Sequence, residues 1–277
     1  MGLDKSRWNS LTETERDAAY DNNAAVADSP ALIAERNAAS AAFRSKYSGS
    51  LDIPYGPLER NRWDLFRGED EAAPCLVFIH GGYWQRNSRT DFSIFAEGAL
   101  ARGWSAALPG YSLAPDATFS EIVTEIGRAL DWLVTEGGSW GIRGPIVLTG
   151  WSAGGHLAAY HLDHPGVAAG LAVSGIFDLT PLRDTSLNIK LSLTDTEINL
   201  YSPLRRPVAQ KPLAIAYGEN ELPALVSDAL QFHALRAASD APGPLISIPA
   251  ANHFTILREF RDPDSPLLTA CANLIRG

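Results

Sequence analysis

One serine stands between two glycines at the end of an apolar run, and its setting is that of a nucleophile. Ile146-Val147-Leu148-Thr149 leads into Gly150-Trp151-Ser152-Ala153-Gly154, and small, helix-compatible residues follow from Gly155-His156. The pattern predicts a strand, a sharp turn and a helix. A turn this tight presses the serine backbone against its neighbours, so a side chain at position 150 or 154 would clash. The Ser152 hydroxyl then projects from the apex at a helix N-terminus. There the backbone N–H of Ala153 can face an oxyanion, and the helix dipole favours negative charge.

A serine hydroxyl is a weak nucleophile and needs a base, itself held by a carboxylate. With a nucleophile on such a turn, the expected chain order is serine, acid, histidine. Six histidines compete for the base. His80 and His156 flank the two glycine-rich turns, His161 and His164 form H-L-D-H near a helix end, and His233 falls within a helix. Only His253, in Ala250-Ala251-Asn252-His253-Phe254, follows the last predicted strand. A loop there lies at the carboxyl edge of an open α/β sheet, beside the nucleophile, so His253 is the expected base. The H-x-x-H pair reads as a surface loop rather than a metal site, because no carboxylate or cysteine cluster completes it. No metal and no organic cofactor is expected.

The acid should follow the predicted strand Pro212–Tyr217, where Gly218-Glu219-Asn220-Glu221-Leu222-Pro223 offers two glutamates, with Asp228 further into the next helix. Glu221 is preferred because it lies nearest the helix start and Gly218 lets the chain turn; Glu219 is second. The remaining oxyanion donors are expected in His80-Gly81-Gly82-Tyr83-Trp84, after the apolar run Cys75–Ile79. Glycines there free the N–H groups of Gly82 and Tyr83 to join that of Ala153, with His80 orienting the loop. Tyr83, Trp84, Trp151 and Phe254 would bring aromatic bulk to a pocket suited to a small acyl group, although Trp151 equally suits a place in the core under the turn.

The elements that must hold these groups are legible in outline. Residues 1–48 read as a helical arm packed on the sheet, with folding over the site mouth as the alternative; one helix covers Thr12–Tyr20 and another, begun by Ser29 as N-cap and Pro30 in the first turn, runs to about Lys46. Leu51–Tyr55 and Arg62–Phe66 suggest an antiparallel start. Buried strands then alternate with helices: Cys75–Ile79, Ser105–Leu108, helix Phe119–Glu136, Ile146–Thr149, helix Ala153–His161 and Ala168–Ser174. Residues 178–211 lose the period and read as a cap with short helices. Pro212–Tyr217, helix Ala224–Ala238, Pro244–Ile248 and a closing helix Leu257–Ile275, interrupted near Asp262-Pro263, complete a mostly parallel, eight-stranded α/β domain.

Bulk properties narrow the class. At 277 residues the chain suits one domain spanning 1–277, and 45% hydrophobic with 20% charged residues is ordinary globular composition. A formal charge of −9 provides no basic surface for nucleic acid. No apolar run approaches a membrane span, and the start M-G-L-D-K-S-R-W has no apolar targeting segment, so a cytoplasmic location is expected. Gly2 matches a myristoylation pattern only formally. Cys75 and Cys271 read as core residues. A small-molecule ester or amide is the expected partner, and a homodimer is left open.

Taken together, H-G-G-Y-W at 80–84, G-W-S-A-G at 150–154 and N-H-F at 252–254 resemble the α/β-hydrolase superfamily. Within it they resemble the kynurenine formamidase (arylformamidase) branch, similar to the hormone-sensitive-lipase-like esterases. The likeness extends over Tyr20-Asp21-Asn22-Asn23, the Gly110–Pro115 turn, Ser174–Leu182 and Gly218–Pro223. It implies hydrolysis of an N-formyl aryl amide or of small carboxylic esters. That branch usually carries aspartate as the acid, and Glu221 departs from it. A general carboxylesterase is the neighbouring alternative; a ligand receptor with slow or absent turnover is the alternative of another class.

Overall fold

A computed structural model of the chain describes residues 5–47, 49–241 and 243–276. Gly2, like the other ends of the expected 1–48 arm, lies outside the described residues. Eight strands form one sheet in the order β1-β2-β4-β3-β5-β6-β7-β8. They are β1 Ser50–Pro54, β2 Arg62–Phe66, β3 Cys75–Ile79, β4 Ser105–Pro109, β5 Ile146–Trp151, β6 Val167–Val173, β7 Leu213–Gly218 and β8 Leu245–Ile248. The β1–β2 and β2–β4 pairs are antiparallel, and the other five are parallel.

Every residue of β3, β4 and β5 is buried, as expected for strands covered on both faces. Alternation of side chains divides β3 between two cores. Cys75, Val77 and Ile79 join one; Leu76 and Phe78 join the other. The first core lies against the Phe119–Glu136 helix through Ile122, Ile126, Ala129, Leu130 and Leu133. That helix starts where Thr118 and Glu121 cap each other's backbone N–H. The second core gathers Phe92, Phe95, Phe260 and Leu268.

Sheet order decides where chemistry can occur. From β3 the chain moves outward to β4 on one side and then crosses to β5 on the other, so the strand order reverses between β3 and β5. Loops leaving their carboxyl ends therefore diverge and open a crevice at that switch point. Register places Ile79 opposite Gly150, and Trp151 opposite Val173. The loop at 80–84, Ser152 and Ser174 thus emerge side by side.

Two expectations about helix ends need correction. Ser29 is not a cap: Asp28 precedes the Ser29–Lys46 helix without a side-chain cap bond, and Ser29 Oγ instead donates to Asn23 O at 2.9 Å. The hydroxyl closes the preceding turn rather than opening the helix. The closing segment is a 3₁₀ stretch Thr255–Phe260 and a separate helix Pro266–Leu274 capped by Ser265. Two prolines within 263–266 remove the N–H groups that a continuous helix would need. Residues 178–211 hold four short helical pieces, at Thr180–Asp184, Asn188–Leu191, Asp195–Tyr201 and Pro203–Arg205. No described helix is long and apolar enough to cross a membrane.

Candidate active site

Ser152 sits at φ 59°, ψ −120°, between β5 and the Ala153–Tyr160 helix. A non-glycine residue held there carries strain of about 1–3 kcal/mol, which the surrounding structure must over-determine. Two glycines make that possible: a Cβ at Gly150 would be driven into the carbonyl of Gly154, and one at Gly154 into the carbonyl of Ile79. The Ser152 N–H is tied to Val173 O at 2.8 Å, so β6 also holds the turn.

His253 and Glu221 meet beside it. His253 Nδ1 lies 3.0 Å from Glu221 Oε2, and both side chains are almost fully buried. The carboxylate's other oxygen, Oε1, accepts from Ser174 Oγ at 2.5 Å and from the Gly218 N–H at 2.8 Å. Trp151 Nε1 donates to His253 O at 2.8 Å and its ring lies 4.6 Å from the imidazole, so the residue before the serine also fixes the histidine loop. Glu219 is exposed; its backbone N–H donates to Ile248 O, and among the described residues its side chain has no hydrogen-bond partner. Ser174 was not singled out from the sequence. Its role depends on β6 lying beside β7, and the one local sign is its own φ of 50° at the strand end.

Asp228, the third carboxylate in sequence reach, serves elsewhere: its Oδ2 accepts from the Phe177 N–H at 2.8 Å. Burial pushes its pKa up to about 7, against the pull of that hydrogen bond. Between about pH 4 and 7 the native state therefore holds a proton that the unfolded chain releases, and stability falls as pH rises through this window. Asp228→Asn keeps an oxygen for the Phe177 N–H and has nothing to titrate. Its urea stability relative to wild type is expected to rise by a few kcal/mol from pH 4 to pH 8. Parallel denaturation curves for both proteins across that range check it; a difference that does not change with pH refutes it.

The loop after β3 is held in uncommon backbone conformations, with φ 122° at Gly82, 52° at Tyr83 and 56° at Trp84. Among the described residues, the N–H groups of Gly82, Tyr83 and Ala153 have no acceptor. Tyr83 anchors the loop: its hydroxyl donates to Tyr20 O at 2.5 Å and accepts from Asn22 Nδ2 at 3.1 Å. His80 is buried beneath, stacked 4.4 Å from Tyr111, with Nδ1 donating to Gly81 O at 2.9 Å. Burial pulls its pKa down to about 3, so it is neutral and structural.

A cavity of about 450 Å³ brings Ser152, His253, Gly82, Tyr83, Trp151 and Phe254 together. Trp84 does not join them. Fully buried, it packs edge-on to Phe119 and His156 at 4.9 and 5.1 Å. Successive positive φ values at Tyr83 and Trp84 send the two rings different ways, which corrects the expected pocket role of Trp84. The arm also departs from a plain appendage on the sheet. Asp17, Tyr20, Asp21 and Asn22 line the cavity, and Asp17 Oδ1 accepts from the Ser186 N–H of the 178–211 segment at 2.6 Å.

The H-x-x-H pair is not a surface loop throughout. His161 is buried, its Nε2 donating to Val123 O at 3.0 Å, and burial pulls its pKa to about 3. His164 turns away to Asp131 at 3.1 Å. His156 likewise donates from Nε2 to Tyr201 O at 2.8 Å, and burial lowers its pKa to about 4.

Comparisons with known proteins bear on the fold and the class of protein. The BD-FAE family model matches residues 64–162, from β2 to the helix after Ser152. Kynurenine formamidase of Danio rerio is 25% identical over 242 residues, 82% of this chain and 81% of that protein. A crystal structure from Silicibacter sp., provisionally named a thioesterase, is 31% identical with a TM-score of 0.83, over 93% of this chain and 99% of its own. The esterase LipW of Mycobacterium marinum, 18% identical, shares the fold at a TM-score of 0.72, over 92% of this chain and 90% of its own. The chain has the α/β-hydrolase fold, is similar in sequence to kynurenine formamidases and to esterases, and is a hydrolase of the ester or amide type.

Proposed function

We propose that the protein is a serine hydrolase that cleaves small-acyl esters and aryl formamides through an acyl-serine intermediate. The observation that carries this reading is the buried His253–Glu221 pair, 3.0 Å apart, whose histidine lines the same cavity as a strained serine. Ser152 Oγ attacks the substrate carbonyl while His253 Nε2 takes its proton, and Glu221 steadies the imidazolium through Nδ1–H. The N–H groups of Gly82, Tyr83 and Ala153 hold the tetrahedral oxyanion; one such donor is worth about 3–4 kcal/mol in the transition state. Collapse breaks the bond to the leaving oxygen or nitrogen, which receives the proton from His253. Water then repeats the sequence on the acyl-serine, releasing the acid and the free serine.

Relatives named kynurenine formamidase support the formamide side of this reading. The test is kcat/KM on N-formylkynurenine and on p-nitrophenyl acetate, side by side. Turnover of both is expected. Reaction with the ester alone would make the protein a carboxylesterase, and turnover of neither, with no covalent labelling by a fluorophosphonate, would sink the hydrolase mechanism.

A further inference from the structure

Arg36 is a buried cation that forms no ion pair among the described residues. Its residue exposure is 8%. Nε and Nη2 both donate to the neutral Oδ1 of Asn37, at 3.1 and 2.8 Å, and the guanidinium carbon lies 4.1 Å over the centre of the Phe92 ring. No carboxylate among the described residues forms an ion pair with it; Asp91, the acid whose field reaches it, has its Oδ2 engaged by the Ser88 N–H. Burial pulls the guanidinium down to about 10, so it stays charged at neutral pH. A buried cation without a counter-charge is a standing liability for a fold, and such groups are found where a ligand supplies the missing charge.

Its position says which ligand. Arg36 lines the same cavity as Ser152 and His253. Phe92, beneath it, lies 5.8 Å from Trp151, whose ring is 4.6 Å from His253. Asn37 occupies the Nε/Nη2 side of the guanidinium fork and leaves its Nη1 end without an acceptor among the described residues. That end has the planar donor geometry that matches a carboxylate. Two acidic groups also line the cavity, from the arm, and both are engaged: Asp17 by the Ser186 N–H and Asp21 by the Ala24 N–H. They repel an anion near residues 17–21, whereas Arg36, on the Ser29–Lys46 helix of the same arm, attracts one beside Phe92. A second cation, Arg86, stands exposed at the same cavity.

We propose that Arg36 is the specificity-determining residue of this cavity, selecting small-acyl esters or amides whose leaving group carries a carboxylate. This rests on the serine-hydrolase reading above. A cavity of about 450 Å³ is far larger than a formyl or acetyl group, so an aryl leaving group with a substituent has room to reach the guanidinium.

The test uses two acetates that differ in one group, 3-acetoxybenzoate and its neutral counterpart 3-acetoxybenzamide. Wild type is expected to favour the anionic ester in kcat/KM. Arg36→Gln should lower the anionic-to-neutral ratio roughly 10- to 100-fold, chiefly through KM, and Arg36→Lys should recover part of it. A ratio near one in wild type, or both substrates falling together in Arg36→Gln, would overturn the proposal. Should wild type turn over neither ester, the hydrolase reading fails separately. Calorimetric binding of 3-acetoxybenzoate to Ser152→Ala, with and without Arg36→Gln, then still reads the anion site. Weaker binding in the double variant supports it; equal binding refutes it.

Discussion

Ser152→Ala is expected to lower kcat on every substrate the protein turns over by about 10⁵- to 10⁶-fold, while KM changes by less than about threefold. The asymmetry follows from the geometry. Among the described residues the Ser152 side chain forms no hydrogen bond that would fail with it, and alanine leaves the rest of the cavity in place. What disappears is the bond-forming atom, which acts only along the reaction path. A residual rate of about 10³-fold over water should survive, because oxyanion donors and substrate positioning remain. Steady-state kinetics with a fluorophosphonate titration of active sites provide the check: the variant should bind substrate and take no label. Retention of even one-hundredth of wild-type kcat would show that another group is the nucleophile.

Glu221→Gln should cost about 10³- to 10⁴-fold in kcat, and its reason is a proton in the wrong place. Glutamine keeps an oxygen for Ser174 Oγ and the Gly218 N–H, so the side chain stays where it is. The atom now facing His253 Nδ1 is an NH₂ group in place of Oε2, and two donors cannot share that 3.0 Å contact. The imidazole must move its proton to Nε2, the nitrogen needed as base towards Ser152. Glu219→Gln, on an exposed residue two positions earlier, should change kcat by less than about twofold. Rates for both variants, with melting temperatures to confirm that they fold, decide the matter. Equal losses would mean that neither glutamate acts on the histidine.

Legibility of the fold followed the range of the forces involved. The Phe119–Glu136 helix is set by a capping box and a 3.6-residue apolar period, both local, and its predicted span is the observed one. β3 and β5 announce themselves as continuous apolar runs, because a strand covered on both faces has no polar side. Residues 178–211 have no such period: their four short pieces pack against other parts of the chain, as where Glu197 Oε1 accepts from Ser120 Oγ at 2.9 Å. Trp84 departs from its expected place at the pocket for a related reason. In a loop with two successive positive φ values, neighbouring side chains do not follow the alternation that a sequence reader assumes.

The α/β alternation, the glycine-framed serine, the β3 glycine loop and the late histidine are legible in contiguous residues, because local sterics govern each of them. Three-dimensional packing sets which acidic side chain faces His253, that Ser174 shares it, that the arm borders the cavity, and that Arg36 is enclosed there with no ion pair among the described residues. Those relations join residues 32 to 217 positions apart in the chain, from Glu221 with His253 to Arg36 with His253. They follow from strand register and helix docking, which no short stretch of residues encodes.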